Sequence, residues 1–189
     1  WNAFSYDNVD LYYLDINKVS MVMEARTEGA TTTYYVKIGP GDYSSYLSST
    51  FANKKEIEDA DVYIKDIRNQ VMSILGPYNN AMKIKVVNEW MIDNLSYENI
   101  EGNNNKYNLY GAIVETKVVC EGYARMFKYI MDGLNIPCIL VSGTATNSEG
   151  ETELHAWNYV ELNGQWYAVD VTWNDPVVIG EGELTESQK

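Results

Sequence analysis

A single histidine, two cysteines and a deficit of positive charge are what this 189-residue chain has least of, and each shortage excludes something. Two cysteines and one histidine cannot supply the four soft ligands of a structural zinc site, so no metal is expected, and no cofactor either. Any imidazole chemistry has to pass through His155. Fourteen Lys and Arg against 27 Asp and Glu leave a net charge of −13. Such a chain lacks the basic surface that neutralises phosphates, which excludes nucleic acid as a partner. The acidity reads first as plain solubility, and it suits a protein or peptide substrate that is basic or Lys-bearing. No run of 18 consecutive apolar residues occurs, so no segment is read as spanning a membrane. No signal peptide is visible, and the chain opens on Trp1 rather than Met, which reads as a mature fragment of a longer protein.

What is present is the composition of a globular protein, 46% hydrophobic and 22% charged, long enough for one domain with a sizeable core. Residues 1–50 read as a β-rich extension. Val9–Leu14 and Lys18–Ala25 are rich in Val, Leu, Ile, Met and Tyr, and Thr31–Ile38 is a β-branched and aromatic run ahead of Gly39-Pro40-Gly41, which predicts a small hairpin or three-stranded unit. Residues 51–180 read as the core with its preceding helices. From Lys54 to Leu75, Ile57, Ala60, Ile64, Ile67, Val71 and Ile74 form one apolar stripe, which Gly76-Pro77 stops. A second helix is expected from Asn80 to Leu95, carrying Ala81, Ile84, Val87, Met91 and Leu95 on one side. Both read as core helices without chemistry. Glu98–Asn108, rich in asparagine, reads as an exposed loop. A third helix begins at or near Cys120, and strands are expected over Cys138–Val141, Leu154–Leu162 and Gln165–Trp173. Residues 181–189 form a polar tail that is expected to be disordered.

The chemistry concentrates in the second half. At a helix N-terminus, free backbone N–H groups and the helix dipole favour an anion, so Cys120 is expected to have a lowered thiol pKa, as a nucleophile needs. Asn163-Gly164 between two strand-like runs is a strong hairpin signal. A two-residue turn pairs Leu162 with Gln165, which sets His155 opposite Thr172 and Trp157 opposite Asp170. Alternation puts all four on one face. Asp170 is then the diagonal neighbour of His155, with Cβ atoms roughly 7 Å apart or less. A carboxylate there can fix the tautomer and orientation of the imidazole. Nucleophile, base and orienter are thus available in Cys120, His155 and Asp170.

The chain resembles the transglutaminase-like superfamily in its bacterial form. The matching stretches are Tyr110–Val114, Val119-Cys120-Glu121-Gly122-Tyr123-Ala124, Gly133–Pro137, Val141-Ser142-Gly143, His155-Ala156-Trp157-Asn158 and Gly164–Trp173, in the family's order and spacing. The resemblance covers about Ala81 to Pro176. It implies an α+β fold of the papain-like, transglutaminase-like kind, with a nucleophilic cysteine at the N-terminus of a helix packed on an antiparallel sheet. It also implies acyl transfer or amide hydrolysis through Cys120, His155 and Asp170, and an extracellular or cell-surface location. The family's side-chain oxyanion donor lies upstream of the cysteine. Tyr97 and Tyr110 are the candidates, beside the Cys120 backbone N–H. Trp157 is either a wall of the substrate groove or a core residue. Cys138 reads as a buried free thiol, Trp166 and Trp173 as packing residues, and Asp175 as a rival to Asp170. The other class of reading is a surface binding module that keeps the fold without catalysis. A papain-like protease shares the Cys-before-His order but not the local signature around the cysteine.

Overall fold

The computed structural model describes residues 2–41, 43–146 and 150–175; the tail expected over 181–189 lies outside them. A short helix, α1 (Asn2–Asp7), opens the chain. The hairpin β1 (Ser20–Glu28) and β2 (Thr31–Gly39) follows, antiparallel in register from Ser20↔Gly39 to Glu28↔Thr31. The strand expected over Val9–Leu14 does not form. Its apolar side chains serve as anchors instead: Val9 and Tyr12 are buried, and the Tyr12 hydroxyl donates to Asp61 Oδ1 at 2.8 Å. Only Leu14 makes a bridge, to Leu47.

Two amphipathic helices follow where the periodicity puts them. In α2 (Lys54–Ile74), the Asn53 side chain accepts from Glu56 N–H while Glu56 reaches back to Ala52 N–H at 2.7 Å, a reciprocal cap of the first turn. Ile64 and Val71 are its buried residues. In α3 (Asn80–Asn94), capped by Asn79, Ile84, Val87 and Met91 point inward. The chain then passes through β3 (Ser96–Tyr97), which pairs in parallel with β4 (Lys117–Val118).

The central helix is α4 (Cys120–Gly133). Tyr123, Met126, Phe127, Ile130 and Met131 lie in the main core, with Ile64, Val71, Val87 and Met91 from α2 and α3. Its two buried cations are paired. Arg125 binds Glu121 and also donates to Ser5, which ties α1 to α4. Lys128 binds Asp132 and the Cys138 carbonyl.

The loop Glu98–Asn108, expected to be exposed, is partly interior. It winds into a 3-10 turn at Asn104–Tyr107, and Asn105 and Lys106 are buried. Their polar atoms are satisfied locally. Lys106 Nζ donates to Asn99 Oδ1 and the Ile100 carbonyl, and Asn105 Nδ2 donates to Glu115 Oε1. A polar stretch can therefore be core when it hydrogen-bonds itself, and a hydropathy reading does not see that. The turn lies directly against α4. A Cβ at Gly122 would sit 2.5 Å from Val118 Cβ and 2.7 Å from the Lys106 carbonyl oxygen, so close approach is what requires glycine there.

The remaining strands form one antiparallel sheet, β5 (Cys138–Thr146), β6 (Thr152–Leu162) and β7 (Gln165–Val169), in that order. Asn163 and Gly164 both have positive φ, 54° and 80°, the two-residue hairpin turn the dipeptide predicts, and Leu162 pairs with Gln165. Helix α4 packs on this sheet through Ala124, Leu140 and Ala156. Asn158 Nδ2, on the same side, donates to the Ala124 carbonyl at 3.0 Å. The architecture is α+β. No helix among the described residues is long and apolar enough to cross a membrane.

Candidate active site

The ladder between β6 and β7 ends at Asn158↔Val169. Strand β7 stops there, and the chain turns into a short helix, α5 (Val171–Asn174). The predicted pairs His155–Thr172 and Trp157–Asp170 therefore do not form, and the strand expected to run to Trp173 is five residues long. Asp170 instead caps α5. Its Oδ1 accepts from Trp173 N–H at 3.1 Å. Its Oδ2 lies 2.7 Å from His155 Nε2, so the proximity expected from register is reached by another route. An ionised carboxylate only accepts, which puts the proton on Nε2 and leaves Nδ1 as the ring nitrogen able to take one.

His155 is buried, 5% exposed. Two indoles stack on its ring, Trp173 at 5.0 Å between centroids and Trp157 at 5.9 Å, both within about 22° of parallel. Trp157, expected either to wall a groove or to fill the core, stacks on the imidazole. Its six-membered ring lies over Gly143, where a Cβ would come within 3.2 Å of it. Trp173, expected only to pack, is the nearer brace.

Cys120 and His155 line one cleft of about 360 Å³, together with Tyr6, Tyr107, Ser142, Gly143 and Leu154. The backbone N–H groups of Ala156 and Glu121 are placed to favour the thiolate form of Cys120. With β7 already ended, Ala156 has no β7 partner. Burial raises the Cys120 thiol pKa; these two N–H groups pull it down, and the carboxylates of Glu121 and Glu153 push it up again. The net direction is upward. This corrects the expectation of a lowered thiol pKa: the helix N-terminus is there, but the sulfur is half-buried and has two acidic side chains near it. Cys138 is a buried free thiol, pushed up to about 12 by burial.

Of the two oxyanion candidates, the structure brings only Tyr97 near the sulfur. Parallel pairing with Val118 sets Tyr97 beside the residues leading into Cys120. Its hydroxyl pKa is raised to about 12, by burial first and then by the charge at Cys120. Tyr110 lies elsewhere: it packs on Tyr12 and Phe51, at 6.1 and 5.2 Å between ring centroids, and does not line the cleft. Its apolar environment claims it for the core. Asp175, the rival carboxylate, accepts from the Tyr123 hydroxyl at 2.6 Å. Tyr123 in turn stacks on Tyr97 at 6.4 Å, so Asp175 supports Tyr97 through Tyr123. Sequence reasoning did not find Tyr6, Tyr107 or Leu154, since nothing in their local pattern signals a cleft. Ser142 and Gly143 stood within a family stretch without an assigned role.

A thiol at a helix start, in one cleft with a histidine that pairs with a carboxylate on an antiparallel sheet, is an arrangement found in papain-like and transglutaminase-like domains. The chain belongs to the transglutaminase-like superfamily, whose model matches residues 68–171, more than half of its length. It is similar to the kyphoscoliosis peptidases of Mus musculus and Homo sapiens, at 26% and 25% identity over 157 residues, covering 74% of this chain and 23% of each relative. The chain thus spans about a quarter of the length of these curated relatives. Its fold is similar to the crystal structure of a TGase, with a TM-score of 0.54 at 16% identity, covering 93% of this chain and 52% of that one.

Proposed function

We propose that this chain carries out thiol-dependent acyl transfer or amide hydrolysis, with Cys120 as nucleophile, His155 as general base and acid, and Asp170 as orienter. The observation that carries the reading is the 2.7 Å contact of His155 Nε2 with Asp170 Oδ2, in a cleft that Cys120 also lines. The Cys120 sulfur attacks a carboxamide or peptide carbonyl carbon as its proton passes to His155 Nδ1. The carbonyl π pair moves onto oxygen. Collapse of that oxyanion expels the amine, which takes the proton from Nδ1 and leaves a thioester. Water or a second amine then loses a proton to Nδ1 and attacks the thioester carbon. The C–S bond breaks, and the sulfur recovers its proton. The backbone N–H of Cys120, in the first turn of α4, has no intrahelical acceptor and suits one half of an oxyanion hole. Tyr97 suits the other half, because its phenol is a neutral donor at working pH and β3 sets it beside the residues leading into Cys120.

Glu153, an acidic group near the sulfur, favours a peptide substrate with basic or lysine side chains; Glu121 is held by Arg125. The reading also carries an extracellular or cell-surface location. One observation favours a second reading, a binding module without catalysis: Cys120 is half-buried near the carboxylates of Glu121 and Glu153, which works against a thiolate there. The pH dependence of Cys120 alkylation by iodoacetamide separates the two, with Cys138→Ser as background and His155→Ala for comparison. Fast alkylation persisting below about pH 6 and lost with His155 marks a thiolate–imidazolium pair. A profile rising only above the free-thiol value of about 8.5, indifferent to His155, removes the enzymatic reading.

A further inference from the structure

The hairpin of β1 and β2 stands apart from the rest of the fold, and its two faces differ in kind. Alternation along the paired strands puts Met21, Met23 and Ala25 on one face, opposite Ile38, Val36 and Tyr34. That face carries no charge and is open to solvent, with Met21 66%, Met23 68%, Tyr34 64%, Val36 60% and Ile38 65% exposed. The other face holds the ionic groups. Glu24 pairs with Lys37 at 2.6 Å and with Arg26 at 3.2 Å, and the Arg26 guanidinium lies 4.8 Å from the Tyr35 ring centroid. A two-stranded ribbon is marginal by itself in water and gains stability by covering an apolar face.

We propose that a second copy of this chain covers that face, the two hairpins packing apolar side to apolar side as a two-layer, four-stranded sandwich. Charge and area both favour this occupant. The chain as a whole carries −13 and repels its own kind, but between Ser20 and Gly39 two acidic residues balance two basic ones. The hairpin is therefore a neutral place at which two acidic molecules can meet. The five exposed side chains offer on the order of 600 Å² per copy, so a symmetric pair removes about 1,200 Å² from water, the lower limit for a stable specific interface. An isologous contact also closes on itself and stops at two copies.

Sedimentation velocity over a concentration series from about 1 µM to about 1 mM tests it, across the range expected of a small interface. The wild-type chain is expected to pass from monomer to dimer within the series. Met21→Lys with Met23→Lys sets four cations in the proposed interface and is expected to hold the chain monomeric. Thr31→Lys, on the charged face, is expected to leave the dimer intact. Val36→Thr with Ile38→Thr keeps the β-branched shape, so the hairpin is retained, and is expected to weaken the dimer at least tenfold through lost apolar burial. Unchanged thermal unfolding of the variants shows that the core is untouched. A wild-type chain that stays monomeric throughout, or a dimer that neither apolar-face variant weakens, overturns the proposal and leaves the face to a different polypeptide.

Discussion

Replacing Asp170 by Asn probes the site with little risk to the fold. The carboxylate has two duties, accepting from His155 Nε2 at 2.7 Å with Oδ2 and from Trp173 N–H at 3.1 Å with Oδ1. An amide has one acceptor and one donor end. If its oxygen faces His155, its NH2 meets the Trp173 N–H; if its NH2 faces His155, Nε2 must accept and the proton moves to Nδ1, where a base is needed. Loss of a hydrogen bond to a charged group costs about 1.5–3 kcal/mol, or roughly 10- to 150-fold in rate. The wrong tautomer adds to that, toward the factor of about 10⁴ seen for the same exchange in a serine protease triad. Stability should move little, because Asn and Asp are comparable helix N-caps. The assay is the burst of p-nitrophenol on mixing with p-nitrophenyl acetate, run beside ¹⁵N NMR of the imidazole, unambiguous because the chain has one histidine. A variant that keeps its burst rate within about threefold of wild type, with the Nε2–H tautomer unchanged, refutes the assigned role of Asp170.

Cys120→Ala should abolish the burst, whereas Cys138→Ser should leave it, since Cys138 is buried away from the cleft. Mass spectrometry after brief alkylation at about pH 8 should find label on Cys120 alone, the Cys138 thiol being held near 12. Gly122→Ala should destabilise by about 1–3 kcal/mol, read from denaturant midpoints, because its Cβ meets Val118 and the Lys106 carbonyl. Stability should also fall in alkali. Cys138, buried at 5% exposure, titrates higher in the folded chain than unfolded, near 12, so it favours folding below the unfolded value. That contribution should disappear between about pH 9 and 12, as the unfolded chain ionises first. A melting temperature that stays flat across that window contradicts the stated burial.

The helices were legible because burial imposes a period. The stripe from Ile57 to Ile74 with its Gly76-Pro77 stop, and the second stripe from Ala81 to Leu95, mark α2 and α3 within a residue or two. The Asn163-Gly164 turn and the register it sets were legible for the same local reason. What sequence could not reveal was where the ladder ends. Nothing in Val169-Asp170-Val171-Thr172 announces that Asp170 becomes a cap, because the strand and the short helix share β-branched composition. The thiol direction was misread for a related reason. Helix position is local, but the burial of Cys120 and the nearness of Glu153 come from tertiary packing. Trp157 was left open and Trp173 was read as packing, because an aromatic that stacks on a functional ring and one that fills a core look alike in one dimension.

The double engagement of Asp170 has a bearing on how this fold loses activity over time. The backbone N–H groups near the Cys120 sulfur can be met by a serine hydroxyl, whereas the Asp170 carboxylate also starts α5. Genetic drift should therefore erase the nucleophile first and the aspartate last. Relics of the superfamily that keep an aspartate at this corner beside an altered cysteine are the expected fossils of that order.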